Sequence, residues 1–130
     1  MVLVNKHIVA IDDTDSILTL LRISLETEGA IFSGAATASG GLALCEAKHP
    51  DLVILDIGLP DYKGFDILPR LKKRNEMPVI VLSVCNEPDS VMRAEALGAD
   101  AYVTKPFNVE ALITLIHEKL CLARSTGFYK

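Results

Sequence analysis

LVILDIGLPDYKGFDIL, residues 52–68, decides the fold. Its opening run of apolar residues shows no polar alternation, as in a strand buried on both faces. The run ends in Asp56. A helical window follows, in which Phe65, Leu68 and Leu71 mark one face, although Pro69 sits awkwardly within it. A strand covered on both sides belongs in a parallel sheet flanked by helices. The same pattern recurs outward from this stretch. HIVAI (7–11) runs into Asp12 and Asp13, VIVL (79–82) into Ser83, and AYVT (101–104) into Lys105.

Strand-like runs over 7–11, 31–35, 52–56, 78–83 and 100–104 alternate with helical windows. Ile17, Leu21 and Leu25 share a face of the first helix, which Gly29 closes as a C-cap. Residues 39–48 give the second helix, closed by Pro50. Met92 and Ala96 mark the fourth, ended by Gly98, and Leu112, Ile116 and Leu120 the fifth. The pattern predicts an α/β fold, a doubly wound (βα)5 chain with a five-stranded parallel sheet and right-handed crossovers. Such crossovers bring the carboxyl ends of the strands to one edge. Asp12, Asp13, Asp56, Ser83 and Lys105 would meet there, a set suited to a phosphoryl group.

Composition narrows the classes. The chain has 130 residues, 50% of them hydrophobic, with a mean hydropathy of +0.34, so one domain with a full core is expected. A net charge of −4 and a pI near 5.3 give no basic surface for nucleic acid. Cys45, Cys85 and Cys121 are odd in number and far apart, as reduced thiols of a cytoplasmic protein would be. The apolar runs are too short to span a bilayer, and MVLVNKH (1–7) is too short for a signal peptide. One folded unit over 1–122 and a polar tail or linker over 123–130 are expected.

VAIDD (9–13), LVILDIGLPDYKGFDIL (52–68), VIVLS (79–83) and GADAYVTKPF (98–107) closely resemble the receiver domain of two-component response regulators, from residue 7 to about residue 121. The specific signal is the ordered set with family-like gaps, since DD alone is noise. The resemblance implies a flavodoxin-like, chemotaxis-receiver-like fold and a phosphorylation-activated switch. Asp56 would accept a phosphoryl group from a sensor histidine kinase or phosphotransfer protein. Asp13 and Asp56 would bind Mg2+ (or Mn2+) directly, with the Gly58 backbone carbonyl, and Asp12 partly through water. Lys105 would reach the phosphoryl oxygens, and Pro106 would follow a cis peptide. Ser83 and Tyr102 would move as the switch. The fourth helix, last strand and fifth helix would carry the signal to an output domain or partner, with a homodimer on phosphorylation among the arrangements in the family.

The chain departs from the family in several places. Val84 is bulkier than the small residue usual there and would narrow access to the site. Gly58 and Cys85 occupy the positions that tune phosphoryl lifetime. Neither offers an acid, base or amide to orient water, so a long-lived phosphoryl-aspartate is expected. Ala101 and Leu115 stand where an Asp and an Arg are typical of the winged-helix branch, which puts its charge-paired dimer in doubt. Ile113, Leu115 and Leu122 would make an apolar interface or complete the core.

Simpler readings exist for each residue. Asp after a strand often serves a turn or a helix cap, although Thr14 and Asp15 are available to cap the first helix. Lys105 and Ser83 alone are ordinary strand-end residues, and Tyr102 an ordinary half-buried strand residue. IDDTDS (11–16) also reads as the D-x-D of a haloacid-dehalogenase-type phosphatase, with Asp13 as nucleophile and Asp15 as acid/base. That reading leaves Asp56 unexplained. A third alternative is a receiver-like interaction module that is never phosphorylated.

Overall fold

Strands β1 (His7–Ile11), β2 (Ile31–Ala35), β3 (Leu52–Asp56), β4 (Val79–Ser83) and β5 (Ala101–Thr104) alternate with helices α1 (Asp15–Thr27), α2 (Ala38–Lys48), α3 (Gly64–Arg74), α4 (Pro88–Ala96) and α5 (Val109–Ser125). The structure is a computed structural model, and it describes residues 1–61, 64–74, 77–85 and 87–125. The sheet order is β2-β1-β3-β4-β5, and every neighbouring pair is parallel. The order reverses between β1 and β3. A crevice outside the carboxyl ends of the strands is expected at that point.

Register places the polar strand ends together. Ile11 pairs with Leu55, so Asp12 stands level with Asp56. Asp56 pairs with Leu82, one residue before Ser83. Ser83 pairs with Thr104, one residue before Lys105. The Lys105 amide donates to the Ser83 carbonyl at 2.7 Å and extends that last ladder.

The central strands alternate between two buried faces. Ile8, Ala10, Leu52, Ile54, Ile80 and Leu82 pack on one side with Leu21 and Leu25 of α1 and Leu112, Ile116 and Leu120 of α5. Val9, Ile11, Val53, Leu55, Val79 and Val81 pack on the other with residues of α2, α3 and α4. The unalternated hydrophobicity of LVIL and VIVL has this cause: each side of the sheet has its own helical cover.

Several local expectations are met and others corrected. Gly29 and Gly98 follow the C-caps of α1 and α4 with φ of +91° and +106°, a conformation that favours glycine. α2 starts at Ala38 and is closed by His49 in the left-handed region (φ 48°), ahead of the expected Pro50. Pro69 lies inside α3 on its exposed side, while Ile67, Leu68 and Leu71 are buried. In α4 the buried residue is Ala94, and Met92 is 68% exposed. The inner face of that helix follows Val91 and Ala94. α5 runs to Ser125, past residue 122, and residues 126–130 lie outside the described residues. Ile113 and Leu115 pack partly against the core, and the side chain of Leu122 lies outside the described residues.

α2 approaches β1 closely at Gly41. A Cβ there would come within 2.4 Å of Ile11 Cδ1 and 2.5 Å of its Cγ1, and Ile11 is fully buried just ahead of Asp12. Glycine to alanine inside a helix normally stabilises by up to about 1 kcal/mol. Here overpacking should outweigh that gain. Gly41→Ala is expected to lower unfolding free energy by about 1–3 kcal/mol in urea titration, and an unchanged or raised midpoint would show that the contact relaxes freely.

Candidate functional site

Asp12, just past the end of β1, and Asp56, the last residue of β3, stand side by side, 1% and 7% exposed, and Asp13 beside them is open to solvent. Carboxylate oxygens of the three lie within 4.8 Å of one another. Lys105 Nζ lies 2.8 Å from Asp12 Oδ2 and 3.5 Å from Asp56 Oδ2. The two buried carboxylates are held alike. Asp12 Oδ1 accepts the Thr14 amide at 2.9 Å, and Asp56 Oδ1 accepts the Gly58 amide at 3.0 Å. Each is a local turn in which an aspartate receives the amide two residues on. Each leaves its Oδ2 facing the lysine. Thr14 is the N-cap of α1 by position, but its side chain makes no capping bond, and its own amide is the one that Asp12 accepts. Asp15 is the first residue of α1, where an acid suits the helix dipole.

Burial is the first cause that raises the pKa of Asp56, and the charges of Asp12 and Asp13 push the same way. The Gly58 amide and the Lys105 charge pull it down without cancelling the rise. Burial lowers the pKa of Lys105, but its hydrogen bond to Asp12 and the charges of Asp56 and Asp12 raise it further than burial depresses it. With all four groups charged, three carboxylates and one ammonium leave a net charge of −2. A donor set of hard carboxylate oxygens with that residual charge fits a hard divalent cation. Gly58 lies beside this cluster, and a Cβ on it would sit 3.7 Å from Asp56 Oδ1.

Ser83 is 4% exposed, and its Oγ accepts the Cys85 amide at 3.0 Å. The Tyr102 hydroxyl donates to the Cys85 carbonyl at 2.7 Å. The main chain of Cys85 thus stands between the two residues expected to move together, a link the sequence reading missed. The Cys85 thiol also contacts Ser90 Oγ at 3.3 Å, at the start of α4. Val84 is 78% exposed. The Lys105–Pro106 peptide is cis. A groove of about 300 Å³ opens between β5 and α5, lined by residues that include Tyr102, Phe107, Ala111 and Leu115.

Asp61 was also missed. Its carboxylate accepts the amides of Ala38 (2.8 Å) and Ser39 (3.0 Å) and the Ser39 hydroxyl (2.6 Å), at the start of α2. The partner lies more than twenty residues away in the chain, so no local motif announces it. The one sequence hint is that α2 has no acid of its own in its first turn.

The phosphatase alternative pairs Asp13 with Asp15 and omits Asp56, yet Asp56 shares Lys105 with Asp12. Comparison with known proteins removes that alternative. The family model described as response regulator receiver domain matches residues 8–117. The transcriptional regulatory protein KdpE of Mycobacterium tuberculosis is 42% identical over 106 residues, which cover 82% of this chain and 47% of that protein. The alkaline phosphatase synthesis transcriptional regulatory protein PhoP of Bacillus subtilis is 39% identical, covering 80% of this chain and 44% of that protein. The chain therefore spans about half the length of these curated relatives. A CheY-like receiver domain protein from Methanospirillum hungatei superposes with a TM-score of 0.90 at 34% identity, covering 94% of this chain and 98% of that one. Among the described residues no helix is long and apolar enough to cross a membrane.

The raised pKa of Asp56 has a definite sign. A carboxyl whose pKa rises on folding contributes stability that is present below the unfolded value, near 3.9, and lost as pH rises through the folded value. In metal-free buffer at pH 7, Asp56→Asn should therefore melt above the wild type. That advantage should vanish below about pH 4. A variant that melts at or below the wild type at pH 7 would show that the charge on Asp56 is fully compensated in the fold.

Proposed function

The chain belongs to the response regulator receiver family, and on that premise we propose that Asp56 is the phosphoacceptor of a switch operated by a sensor histidine kinase or a phosphotransfer protein. The observation that carries this reading is the buried Asp12–Asp56 pair, with Asp13 beside it and one lysine within 3.5 Å of both buried carboxylates. A carboxylate is a weak nucleophile, so alignment and charge neutralisation must supply most of the rate.

In the transfer, an Asp56 carboxylate oxygen forms a P–O bond while the P–N bond to the donor imidazole breaks. The bonding electron pair leaves with the imidazole nitrogen. The Gly58 amide fixes the Asp56 rotamer before the donor arrives. Lys105 then shifts its charge from Asp12 towards the phosphoryl oxygens, as a compact ammonium on a flexible stem can. Asp12, Asp13, Asp56 and the Gly58 carbonyl would hold Mg2+ (or Mn2+), Asp12 partly through water. When bound, the cation neutralises charge on the transferring group. After transfer Ser83 donates its hydroxyl to the phosphoryl group. Its link to Tyr102 through the Cys85 main chain carries that change to β5.

The signal leaves by the face of α4, β5 and α5, where Tyr102 and Leu115 line the groove. Phosphorylation biases two existing conformations, and a coupling of about 1–3 kcal/mol suffices. The output is an attached domain or a separate partner, with DNA binding the natural candidate because the relatives are transcriptional regulators. This domain itself, residues 1–122 in the proposed division, contacts no nucleic acid and works in the cytoplasm. Ala101 and Leu115 cannot form charge pairs, so a partner, or a second copy on phosphorylation, would meet apolar residues of this face. Gly58 and Cys85 offer no group to orient an attacking water, which favours a long-lived phosphoryl-aspartate.

Beryllofluoride with Mg2+ should shift the amide resonances of Ser83, Cys85 and Tyr102, and Asp56→Asn should abolish the response. An unaltered wild-type spectrum would return the chain to the class of unphosphorylated interaction modules. Val84→Ala should take up phosphoryl groups from acetyl phosphate faster than the wild type, and equal rates of uptake and loss would remove Val84 from the site.

A further inference from the structure

The loop from Asp56 to α3 is fastened at three described points. Gly58 donates its amide to Asp56, Leu59 is 8% exposed in the core beside α2 and α3, and Asp61 grips the start of α2. The third fastening is the most polar. One carboxylate spans two successive helix amides and a hydroxyl, while Thr37 Oγ1 satisfies the next amide, Gly40, at 3.1 Å. The first helical amides of α2 have no partners inside the helix, so an external carboxylate both satisfies them and matches the positive end of the dipole. These bonds hold the Asp61 pKa down to about 2, the Ser39 hydroxyl being the largest cause and the two amides next.

Asp61 thus joins two segments that both lead to the acidic cluster. Three residues before it lies Gly58. Behind α2 lies Ile11, against which Gly41 packs, and Ile11 directly precedes Asp12 and Asp13. We propose that Asp61 is a positioning residue for the cation site, fixing the Gly58 loop through the N-terminus of α2. This deepens the phosphoacceptor reading and rests on it. Asp61 touches neither the phosphoryl group nor the cation; it sets where the Gly58 main chain stands before either arrives. The coupling is reciprocal, so an occupied cation site should be felt at the Ala38 and Ser39 amides.

The test is a Mg2+ titration of the whole chain, followed by amide resonances and by melting temperature in parallel. In the wild type, Ala38 and Ser39 should shift with the same midpoint as Gly58. Asp61→Ala should raise the Mg2+ dissociation constant about tenfold, the lower end for groups that orient metal ligands, and should abolish the shift at Ala38 and Ser39. Asp61→Asn keeps one acceptor for Ala38 and should fall between. Ser39→Ala, which keeps the carboxylate and both amide bonds, should stay within about threefold of the wild type and serves if the Asp61 variants fail to fold: a shift of the position-39 amide lost in that variant, or absent in the wild type, overturns the proposal. A lower melting temperature in Asp61→Ala with an unchanged Mg2+ midpoint makes Asp61 merely structural and also overturns it, leaving the phosphoacceptor reading intact. A wild type that binds no Mg2+ overturns that reading first.

Discussion

Two buried aspartates side by side at the ends of the central strands are the constraint around which the site is arranged. Asp12 and Asp56 repel, and burial makes their charges costlier still. Lys105 stands against both, yet its single charge leaves the cluster at −2 with Asp13 included. The fold does not remove this frustration. It fixes each carboxylate by an amide two residues on and leaves the other oxygen facing a common space. A site kept electrostatically incomplete in this way suits the cation and the phosphoryl group proposed for it.

The sheet makes the arrangement rigid. The β1–β3 register sets Asp12 beside Asp56, and the β4–β5 register sets Ser83 one step from Lys105. The strands beneath both are packed on both faces. The proposed readout lies nearer the sheet edge. Ser83 and Tyr102 meet through one residue of the β4–α4 loop, Cys85, and β5 is a partly exposed edge strand.

Much of this was legible in the sequence because strand periodicity and strand ends are local. LVIL and VIVL announce burial on both faces, and the residues after each apolar run point to one edge. The glycines at 29 and 98 are readable because positive φ favours that residue. What escaped depends on distance or on fine packing. Met92 and Ala96 mark the fourth helix by their spacing, but the helix turns Ala94 inward and leaves Met92 exposed. His49 closes α2 with a left-handed backbone that its residue type does not announce. The grip of Asp61 on α2 and the place of Cys85 between Ser83 and Tyr102 are contacts across the chain, and no spacing rule reaches them.

The central claim is that Asp56 is the acceptor and that its neighbours make it so. The most direct measurement is reductive trapping after incubation with acetyl phosphate and Mg2+. Borohydride converts an aspartyl phosphate to homoserine, and peptide mass spectrometry locates the converted residue. The account predicts conversion at Asp56, dependent on the divalent cation and lost in Asp13→Asn. Conversion at Asp12 or Asp13, or none at any aspartate of the intact chain, would contradict it.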